Sequence, residues 1–264
     1  YKIICNGNPY ILTIFEKRVN EEDLPFFMNL KLYLNKNNFN CPKPIKNKNN
    51  QIINIIKNKK AVIVSFIEGS KIDSSNNDNC YEVGKIIGKL HHISQNFNQK
   101  KNNSLNILEL KKILNKCIES NKKEFEEIFN IVKNEIKFIE TSWPKELPSG
   151  IIHADLFKDN IFFNNGEITG VIDFYFSCFH FFIYDICIVI NDWCFENNGK
   201  ELNINFFDSI IQGYSNYRKL GKNEIDAFNV VLRVATIRIL ITRLHDYIFH
   251  SDDAIVVKKD PYQY

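Results

Sequence analysis

The sequence predicts an α+β protein of two lobes, in which a small antiparallel β-sheet lobe precedes a mainly helical lobe. Short runs rich in β-branched and aromatic residues, separated by turn residues, fill the chain up to about residue 67. Helical periodicity dominates from about residue 78 onward, and one hairpin signal interrupts it near residue 165. Because the pattern changes between Glu68 and Ser75, we expect the lobes to span residues 1–69 and 70–264.

The composition is that of an ordinary globular protein. The chain has 264 residues, 44% of them hydrophobic, and a formal net charge of +3, so it can bury a sizeable core. Its lysines and acids are mixed along the chain, which argues against the clustered basic surface of a nucleic-acid-binding protein. No apolar run reaches the roughly 18 residues that span a bilayer, and no signal-peptide pattern is evident. We therefore expect a cytoplasmic protein without nucleic-acid or membrane partners.

The seven cysteines are scattered and form no C-x-x-C pair. This spacing argues against a disulfide framework and a structural zinc site, and it favours reduced thiols packed as small apolar groups. His91 and His92 lie on a helical run without acidic or thiol partners at ligand spacing, so no metal site is expected there. Tyr1 lies within a predicted strand, which leads us to expect a further segment before it.

The small lobe is predicted to contain two pairs of strands around one helix. The helix is capped by Asp23, has Pro25 in its first turn and ends near Asn38. The turn residues Asn6 to Pro9 join the first two strands. The four strands are predicted at residues 2–5, 10–15, 51–56 and 61–67.

The large lobe is predicted to consist of helices around one hairpin. Apolar residues at helical spacing predict helices at 78–93, 105–119, 123–141, 181–195, 204–217 and 224–249. A buried strand leads into His153, and Asn165-Gly166 joins the two following apolar runs, as in a tight two-residue turn. In that register Asn160 faces Val171, and Asp173 lies two residues, roughly 7 Å, further along.

Polar residues suited to phosphoryl transfer lie at the ends of this hairpin. His153, Asp155 and Asn160 form the pattern H-x-D-x-x-x-x-N, and Asp173 opens a D-F pair eighteen residues after Asp155. An amide oxygen and a carboxylate suit Mg²⁺, which takes few protein ligands when a nucleotide supplies others. Asp155 can accept the proton of a hydroxyl nucleophile, whereas His153 is expected to brace the loop. This is the spacing of the catalytic and metal-binding segments in kinase-like phosphotransferases. In the alternative interpretation the acids only cap turns and a strand end, and three positions match this spacing by coincidence.

Longer segments around these residues resemble a known family. GIIHADLFKDNIFF, VIDFYFSC and YDICIVINDWCFE are similar to the homoserine kinases that share the aminoglycoside-phosphotransferase and choline-kinase fold. YILTIFEKRV, DLPFF, TRLHD and the closing KKDPYQY extend the resemblance over nearly the whole chain. The resemblance implies a two-lobed protein-kinase-like fold, ATP and Mg²⁺ as cofactors, and transfer of the ATP γ-phosphoryl group to the side-chain hydroxyl of L-homoserine, an early step towards threonine.

The resemblance also implies roles for single residues. Asp155 matches the catalytic base, Asn160 and Asp173 match the Mg²⁺ ligands, and His153 matches the histidine that opens the catalytic loop. Asp185 matches an acid that supports this loop in the fold.

The nucleotide-binding residues depart from the family pattern. Related enzymes carry Lys or Arg near the position of Thr13, so phosphate anchoring is expected from Lys17, from Lys158 or from a loop before Tyr1. Lys158 stands where the family usually has proline. A strand leaves the small lobe just before Glu68, and the backbone there is expected to meet adenine, at Ser65, Phe66 and Ile67.

Homoserine carries an ammonium and a carboxylate, so its pocket needs an anion and a cation, and arginine binds carboxylates best. The candidates that follow the catalytic base are Tyr175, Asn191, Asp192, Trp193, Arg238, Arg243 and Asp246. Arg243 and Asp246 fit a mutual ion pair on one helix equally well, and Trp193 fits the core equally well. Tyr175 replaces the glycine of protein kinases, which implies no large activation-segment switch.

Two alternatives stay open. A sister kinase acting on choline, an aminoglycoside or a methylthio-sugar would share the mechanism, although a choline pocket would be lined with aromatic rings. A nucleotide-binding pseudokinase is suggested by Thr13, but Asp155 argues against it because a module that only binds needs no base. The chain is expected to be a monomer or a homodimer.

Overall fold

The small lobe is a four-stranded antiparallel sheet with one helix. The computed structural model describes residues 1–16, 19–197, 199–249 and 261, and it orders the strands β1-β2-β4-β3. The elements are β1 (Lys2–Cys5), β2 (Asn8–Ile14), α1 (Leu24–Lys36), β3 (Asn54–Ile56) and β4 (Lys59–Ser65). Both hairpin turns, Asn6-Gly7 and Lys57-Asn58, have two residues with positive φ, the conformation that matches the twist of the adjoining strands.

Two details of the small lobe differ from the sequence prediction. The strand predicted at 51–56 shrinks to β3, because the side chain of Asn47 accepts hydrogen bonds from the N–H groups of Asn49 and Gln51 and curls the chain there. Asp23 does not cap α1 with its side chain. Its carboxylate lies 3.4 Å from the ammonium of Lys101.

The described part of the large lobe contains six α-helices and three two-stranded sheets. The helices are α2 (Asn77–Ser94), α3 (Ile107–Glu119), α4 (Glu126–Ser142), α5 (Phe182–Trp193), α6 (Ile204–Tyr214) and α7 (Lys222–Phe249). The strand pairs are β5 (Ser149–Ile152) with β8 (Cys178–Phe181), β6 (Ile161–Asn164) with β7 (Glu167–Val171), and β9 (Phe195–Glu196) with β10 (Glu201–Leu202). None of the described helices is long and apolar enough to cross a membrane.

The hairpin of β6 and β7 has a different register from the one predicted. Its turn is Asn165-Gly166, with φ values of 49° and 83°, as expected. A bulge next to Phe162 shifts the pairing by one residue, so Ile161 and not Asn160 lies opposite Val171. The extra residue places Asn160 just outside the strand, at the mouth of the hairpin, where its carbonyl accepts a hydrogen bond of 2.9 Å from the N–H of Ile172.

The segment between β4 and α2 is attached directly to this hairpin. Ser70 and Phe163 exchange two backbone hydrogen bonds of 2.9 and 2.8 Å. Gly69 has a φ of 126°, and a Cβ atom there would lie 2.6 Å from the hydroxyl oxygen of Thr169. Only glycine fits where this segment crosses the hairpin. The contact holds the chain that leaves the small lobe against the hairpin that carries the site.

Helices α2 and α6 pack with their backbones in contact. A Cβ atom at Gly84 would lie 2.0 Å from the carbonyl oxygen of Ile210, and one at Gly213 would lie 2.0 Å from that of Tyr81. Two glycines facing opposite helices therefore set the spacing of this pair. The spacing matters for the site, because α2 carries His91 and α6 carries Tyr214.

Replacing Gly84 by alanine is expected to lower the free energy of unfolding by about 2 kcal/mol. The direction of this change tests the packing. If α2 and α6 were not in contact, replacing glycine by alanine would stabilise the helix by roughly 1 kcal/mol. Urea unfolding of Gly84→Ala and of His92→Ala, an exposed position on the same helix, makes the comparison. A Gly84→Ala protein as stable as the wild type would contradict the close packing.

Candidate active site

The loop after β5 is held by the carboxylate of Asp185 on α5. The N–H of His153 donates to Asp185 Oδ2 at 2.8 Å, and the N–H of Ala154 donates to Oδ1 at 2.7 Å. Ala154 has a φ of +62°, a left-handed conformation that costs a residue with a Cβ roughly 1–2 kcal/mol. The buried carboxylate offsets this cost, and it sets the direction in which Asp155 leaves the strand.

Asp185 and His91 form a fully buried pair. His91 Nε2 lies 3.2 Å from Asp185 Oδ2, and both side chains have no solvent exposure. Burial by itself would raise the pKa of Asp185, but the hydrogen bond from His91 and the donors of the loop lower it below its ordinary value. Burial lowers the pKa of His91, and the attraction of Asp185 offsets this only in part. The pair therefore consists of a carboxylate and a neutral imidazole.

His153 connects the two halves of the candidate site. Its Nδ1 accepts a hydrogen bond of 3.2 Å from the N–H of Asp155, and its Nε2–H donates to the carbonyl of Ile172 at 2.9 Å. Both ring nitrogens are therefore hydrogen-bonded to backbone groups. The ring ties the loop of Asp155 to the end of β7, where Asp173 follows.

Two side chains orient the carboxylate of Asp155. Arg238 on α7 donates from NH2 to Oδ1 at 2.9 Å, and Asn160 donates from Nδ2 to Oδ2 at 3.1 Å. Asn160 Nδ2 also donates to the backbone carbonyl of Asp155 at 2.8 Å. Because both acceptors require the nitrogen, the amide orientation of Asn160 is defined and its Oδ1 points away from Asp155.

Asp173 completes the cluster at the mouth of the hairpin. Its φ is +62°, and part of its surface is open to solvent. Desolvation by the surrounding protein, followed by the charge of Asp155, raises the pKa of Asp173, while His153, the N–H of Tyr175 and Lys31 lower it. Two neighbouring carboxylates beside an amide oxygen fit a hard cation. No group of three or more His, Cys, Asp or Glu side chains among the described residues could hold a metal, so such a cation would need oxygens from a nucleotide or water.

The residues predicted to bind the nucleotide include three at the end of β4 that line a cavity. Ser65, Phe66 and Ile67 line a cavity of 410 Å³ together with Asn164 and Thr169 of the hairpin. Their contact with adenine stays a prediction. Lys17 lies outside the described residues.

Lys158 is bound to the end of α5. Its N–H donates to the carboxylate of Asp192 at 2.7 Å, and its ammonium donates to the carbonyl of Asp192 at 2.8 Å and lies 5.8 Å from the ring centre of Trp193. These contacts fix the loop between Asp155 and Asn160. A role of Lys158 at the phosphates stays a prediction.

The residues predicted to bind the substrate fall into two groups. Arg238 is 4% exposed and Asn191 is 7% exposed. Their NH1 and Nδ2 groups are buried and have no hydrogen-bond partner among the described residues. Trp193, in contrast, is part of the core, and its Nε1–H donates to the carbonyl of Leu156 at 3.2 Å.

The remaining substrate candidates are Tyr175, Arg243 and Asp246. The hydroxyl of Tyr175 lies 3.4 Å from the ammonium of Lys31. Arg243 and Asp246 lie further along α7, and the carboxylate of Asp246 is 3.6 Å from His245 Nδ1. Contact of any of these residues with a substrate stays a prediction.

The structure adds two residues that the sequence analysis did not place in the site. Lys31 is 3% exposed and faces Tyr175; burial lowers its pKa to about 8, and the charge of Asp173 opposes this shift. His91 was considered only as a metal ligand. Both lie on the apolar faces of their helices, and a lone polar residue at such a position is the signal that could have identified them.

Comparison with known proteins identifies the family. The profile of the phosphotransferase enzyme family matches residues 1–220. The chain belongs to this family. It is 37% identical to a homoserine kinase of Bartonella henselae over 264 residues, which cover 100% of this chain and 82% of that protein. A homoserine kinase of Agrobacterium fabrum is 37% identical over 257 residues, 97% of this chain and 80% of that protein. The resemblance seen in the sequence is confirmed.

Solved structures show the same fold in kinases with other acceptors. An amicoumacin kinase in complex with AMP-PNP, Ca²⁺ and Ami superimposes with a TM-score of 0.77 at 17% identity, over 96% of this chain and 80% of that one. A microcompartment-associated aminopropanol kinase gives a TM-score of 0.66 at 14% identity, over 94% and 81% of the two chains. The predicted small-sheet lobe and helical lobe of a kinase-like α+β fold are therefore confirmed.

Replacing Asp185 by asparagine is expected to lower the free energy of unfolding by about 3 kcal/mol near neutral pH, because an amide nitrogen would face buried N–H donors. The lowered pKa of Asp185 means that its stabilisation is present above the unfolded value of about 3.9 and is lost as the pH falls through the folded value. The difference between wild type and Asp185→Asn should therefore shrink below about pH 4.

Urea unfolding between pH 3 and pH 8 measures this difference. Asp226→Asn, which removes an exposed partner of Lys222, is the control and should change stability by less than about 1 kcal/mol. Equal stability of Asp185→Asn and wild type at pH 7 would contradict the anchoring role.

Proposed function

We propose that the chain is a homoserine kinase that transfers the γ-phosphoryl group of ATP to the side-chain hydroxyl of L-homoserine, giving O-phospho-L-homoserine for threonine biosynthesis. One observation carries this proposal. Asp155 is oriented by Arg238 and Asn160 beside Asp173, in a chain that is 37% identical over its whole length to a homoserine kinase.

Asp155 is the proposed catalytic base. Arg238 occupies Oδ1 and Asn160 occupies Oδ2, and each carboxylate oxygen retains a second lone pair. A substrate hydroxyl that donates to Asp155 would be oriented for in-line attack on the γ-phosphorus, and its proton would pass to the carboxylate as the new O–P bond forms. The guanidinium of Arg238, 2.9 Å from Oδ1, holds the carboxylate of Asp155 in place for this transfer.

Asn160 and Asp173 are the proposed holders of Mg²⁺. Asn160 directs its Oδ1 away from Asp155, and Asp173 supplies a carboxylate that neighbours Asp155. One amide and one carboxylate oxygen are the small protein ligand set that Mg²⁺ uses when phosphates and water complete its octahedron. The bound cation would supply positive charge to the transferring group.

The nucleotide is proposed to bind between the two lobes, taken as residues 1–69 and 70–264. Ser65, Phe66 and Ile67 would meet the adenine with their backbone at the end of β4, while Lys17 and Lys158 stay candidates for the phosphates. The complex of the amicoumacin kinase with AMP-PNP supports nucleotide binding by this fold.

The carboxylate of homoserine is proposed to bind Arg238 NH1 and Asn191 Nδ2. Both are buried donors without a described partner, and leaving such groups unpaired costs roughly 1–3 kcal/mol each. A carboxylate acceptor would satisfy both. Because Arg238 also binds Asp155, the guanidinium would connect substrate recognition to the base.

The activity test measures ADP release from Mg-ATP with L-homoserine, L-serine, choline, kanamycin and methylthioribose. Selective turnover of homoserine is expected, and Asp155→Asn should reduce kcat by about 10²- to 10⁴-fold with little change in ATP binding. Turnover of another acceptor would retain the mechanism and refute the substrate. ATP binding without any turnover would support a pseudokinase instead.

The proposed carboxylate contact predicts a change in substrate discrimination. Arg238→Met should lower the ratio of kcat/KM for L-homoserine to that for 3-amino-1-propanol, which lacks the carboxylate, by roughly 10- to 100-fold. Both alcohols need Asp155 as the base. Any loss of kcat/KM that comes from disturbing Asp155 therefore cancels in the ratio. Arg233→Met removes an arginine on the same helix that pairs with Glu135 and should leave the ratio unchanged. An unchanged ratio in Arg238→Met would rule out the contact.

A further inference from the structure

A row of buried hydrogen bonds connects the start of α7 with the carboxylate of Asp185. Glu224 Oε2 accepts from Arg218 NH2 at 2.6 Å, and Arg218 NH1 donates to the hydroxyl oxygen of Tyr214 at 3.0 Å. That hydroxyl lies 2.9 Å from His91 Nδ1, and His91 Nε2 lies 3.2 Å from Asp185 Oδ2. Four of these five residues, Glu224, Tyr214, His91 and Asp185, have no measurable exposure.

Each bond in this row has a defined direction. The guanidinium of Arg218 has only donors, so the oxygen of Tyr214 accepts from it and its O–H is free to donate to His91 Nδ1. Asp185 has only acceptors when ionised, so the proton of the neutral ring lies on His91 Nε2. Because Arg218 can only donate and Asp185 can only accept, both ends of the row require one arrangement of protons. In it, Tyr214 donates to His91 Nδ1 and His91 Nε2 donates to Asp185.

The arginine end of the row is itself held in place. The guanidinium of Arg218 lies 5.0 Å from the ring centre of Phe182, and Glu224 Oε2 accepts a further hydrogen bond of 3.0 Å from the N–H of Gly221. A charged pair in such surroundings keeps its geometry only when its partners are fixed. Arg218 is thus a rigid donor and not a mobile surface charge.

The other end of the row acts on the catalytic loop. Asp185 accepts from His91 and also from the N–H groups of His153 and Ala154. If His91 lost the donor to its Nδ1, a buried acceptor would be left unpaired, and the ring would shift or bind a second proton. Asp185 would then move relative to the two N–H groups that hold Ala154 in its left-handed conformation and direct Asp155.

We propose that Tyr214 and Arg218 are positioning residues for phosphoryl transfer: by fixing the proton arrangement of His91, they hold Asp185 and, through it, the loop that carries Asp155. This inference rests on the proposed function for its kinetic consequence, whereas its structural consequence can be measured without substrate. The competing explanation is that the Arg218–Glu224 pair only stabilises the connection between α6 and α7.

The test compares Tyr214→Phe and Arg218→Met with wild type in two measurements. In native-state hydrogen exchange, the amides of His153 and Ala154 are expected to exchange about tenfold faster, while core amides elsewhere, such as those of α4, stay unchanged. In steady-state kinetics, kcat should fall by about five- to tenfold, with both KM values nearly unchanged. Tyr214→Phe is the milder variant and keeps the test valid if Arg218→Met does not fold.

Matched controls come from the segment between α6 and α7 and from α7. Tyr217→Phe removes a hydroxyl that is more exposed, and Arg233→Met removes the surface partner of Glu135; neither should change exchange at Ala154 or kcat. Exchange that rises by the same factor throughout the protein, or an unchanged kcat in both Tyr214→Phe and Arg218→Met, would overturn the inference. A wild-type protein without kinase activity would refute the proposed function alone, since the exchange data would still decide whether Tyr214 and Arg218 hold the loop.

Discussion

Three N–H groups from two parts of the chain meet on the carboxylate of Asp185, and the geometry of the site follows from this convergence. A fully buried charge is costly unless it is paired and hydrogen-bonded. Folding can satisfy Asp185 only by bringing α2, α5 and the loop after β5 into one arrangement. That arrangement forces Ala154 into a strained backbone conformation and so determines where Asp155 projects.

The rest of the site consists of groups oriented before any ligand binds. Arg238 and Asn160 orient Asp155, and His153 ties this loop to the end of β7. Such preorganisation suits phosphoryl transfer, in which positioning and charge neutralisation do most of the work. This preorganisation has two costs. Ala154 adopts a strained backbone conformation, and the like charges of Asp155 and Asp173 are held close together. The helical packing around the site supplies the free energy that sustains this strain.

Local chemistry made much of the fold predictable. The predicted helix ends lie within three residues of the observed ones, because amphipathic periodicity is a strong and local signal. The short strand β8 was missed, since its apolar run continues without a break into α5. The shifted hairpin register was also missed, because a bulge depends on what the strand packs against and not on the turn sequence.

For the site, the sequence by itself predicted the candidate reacting groups: His153, Asp155, Asn160 and Asp173 lie within one short segment at a recognisable spacing, so they could be found without coordinates. Only the tertiary structure decided how those groups are held. Arg238 lies on α7 and His91 on α2, far along the chain from Asp155 and Asp185, and no local pattern links them. Their pairing arises because a buried charge or polar group must find its hydrogen-bond partners within the protein, and burial is a property of the packed chain.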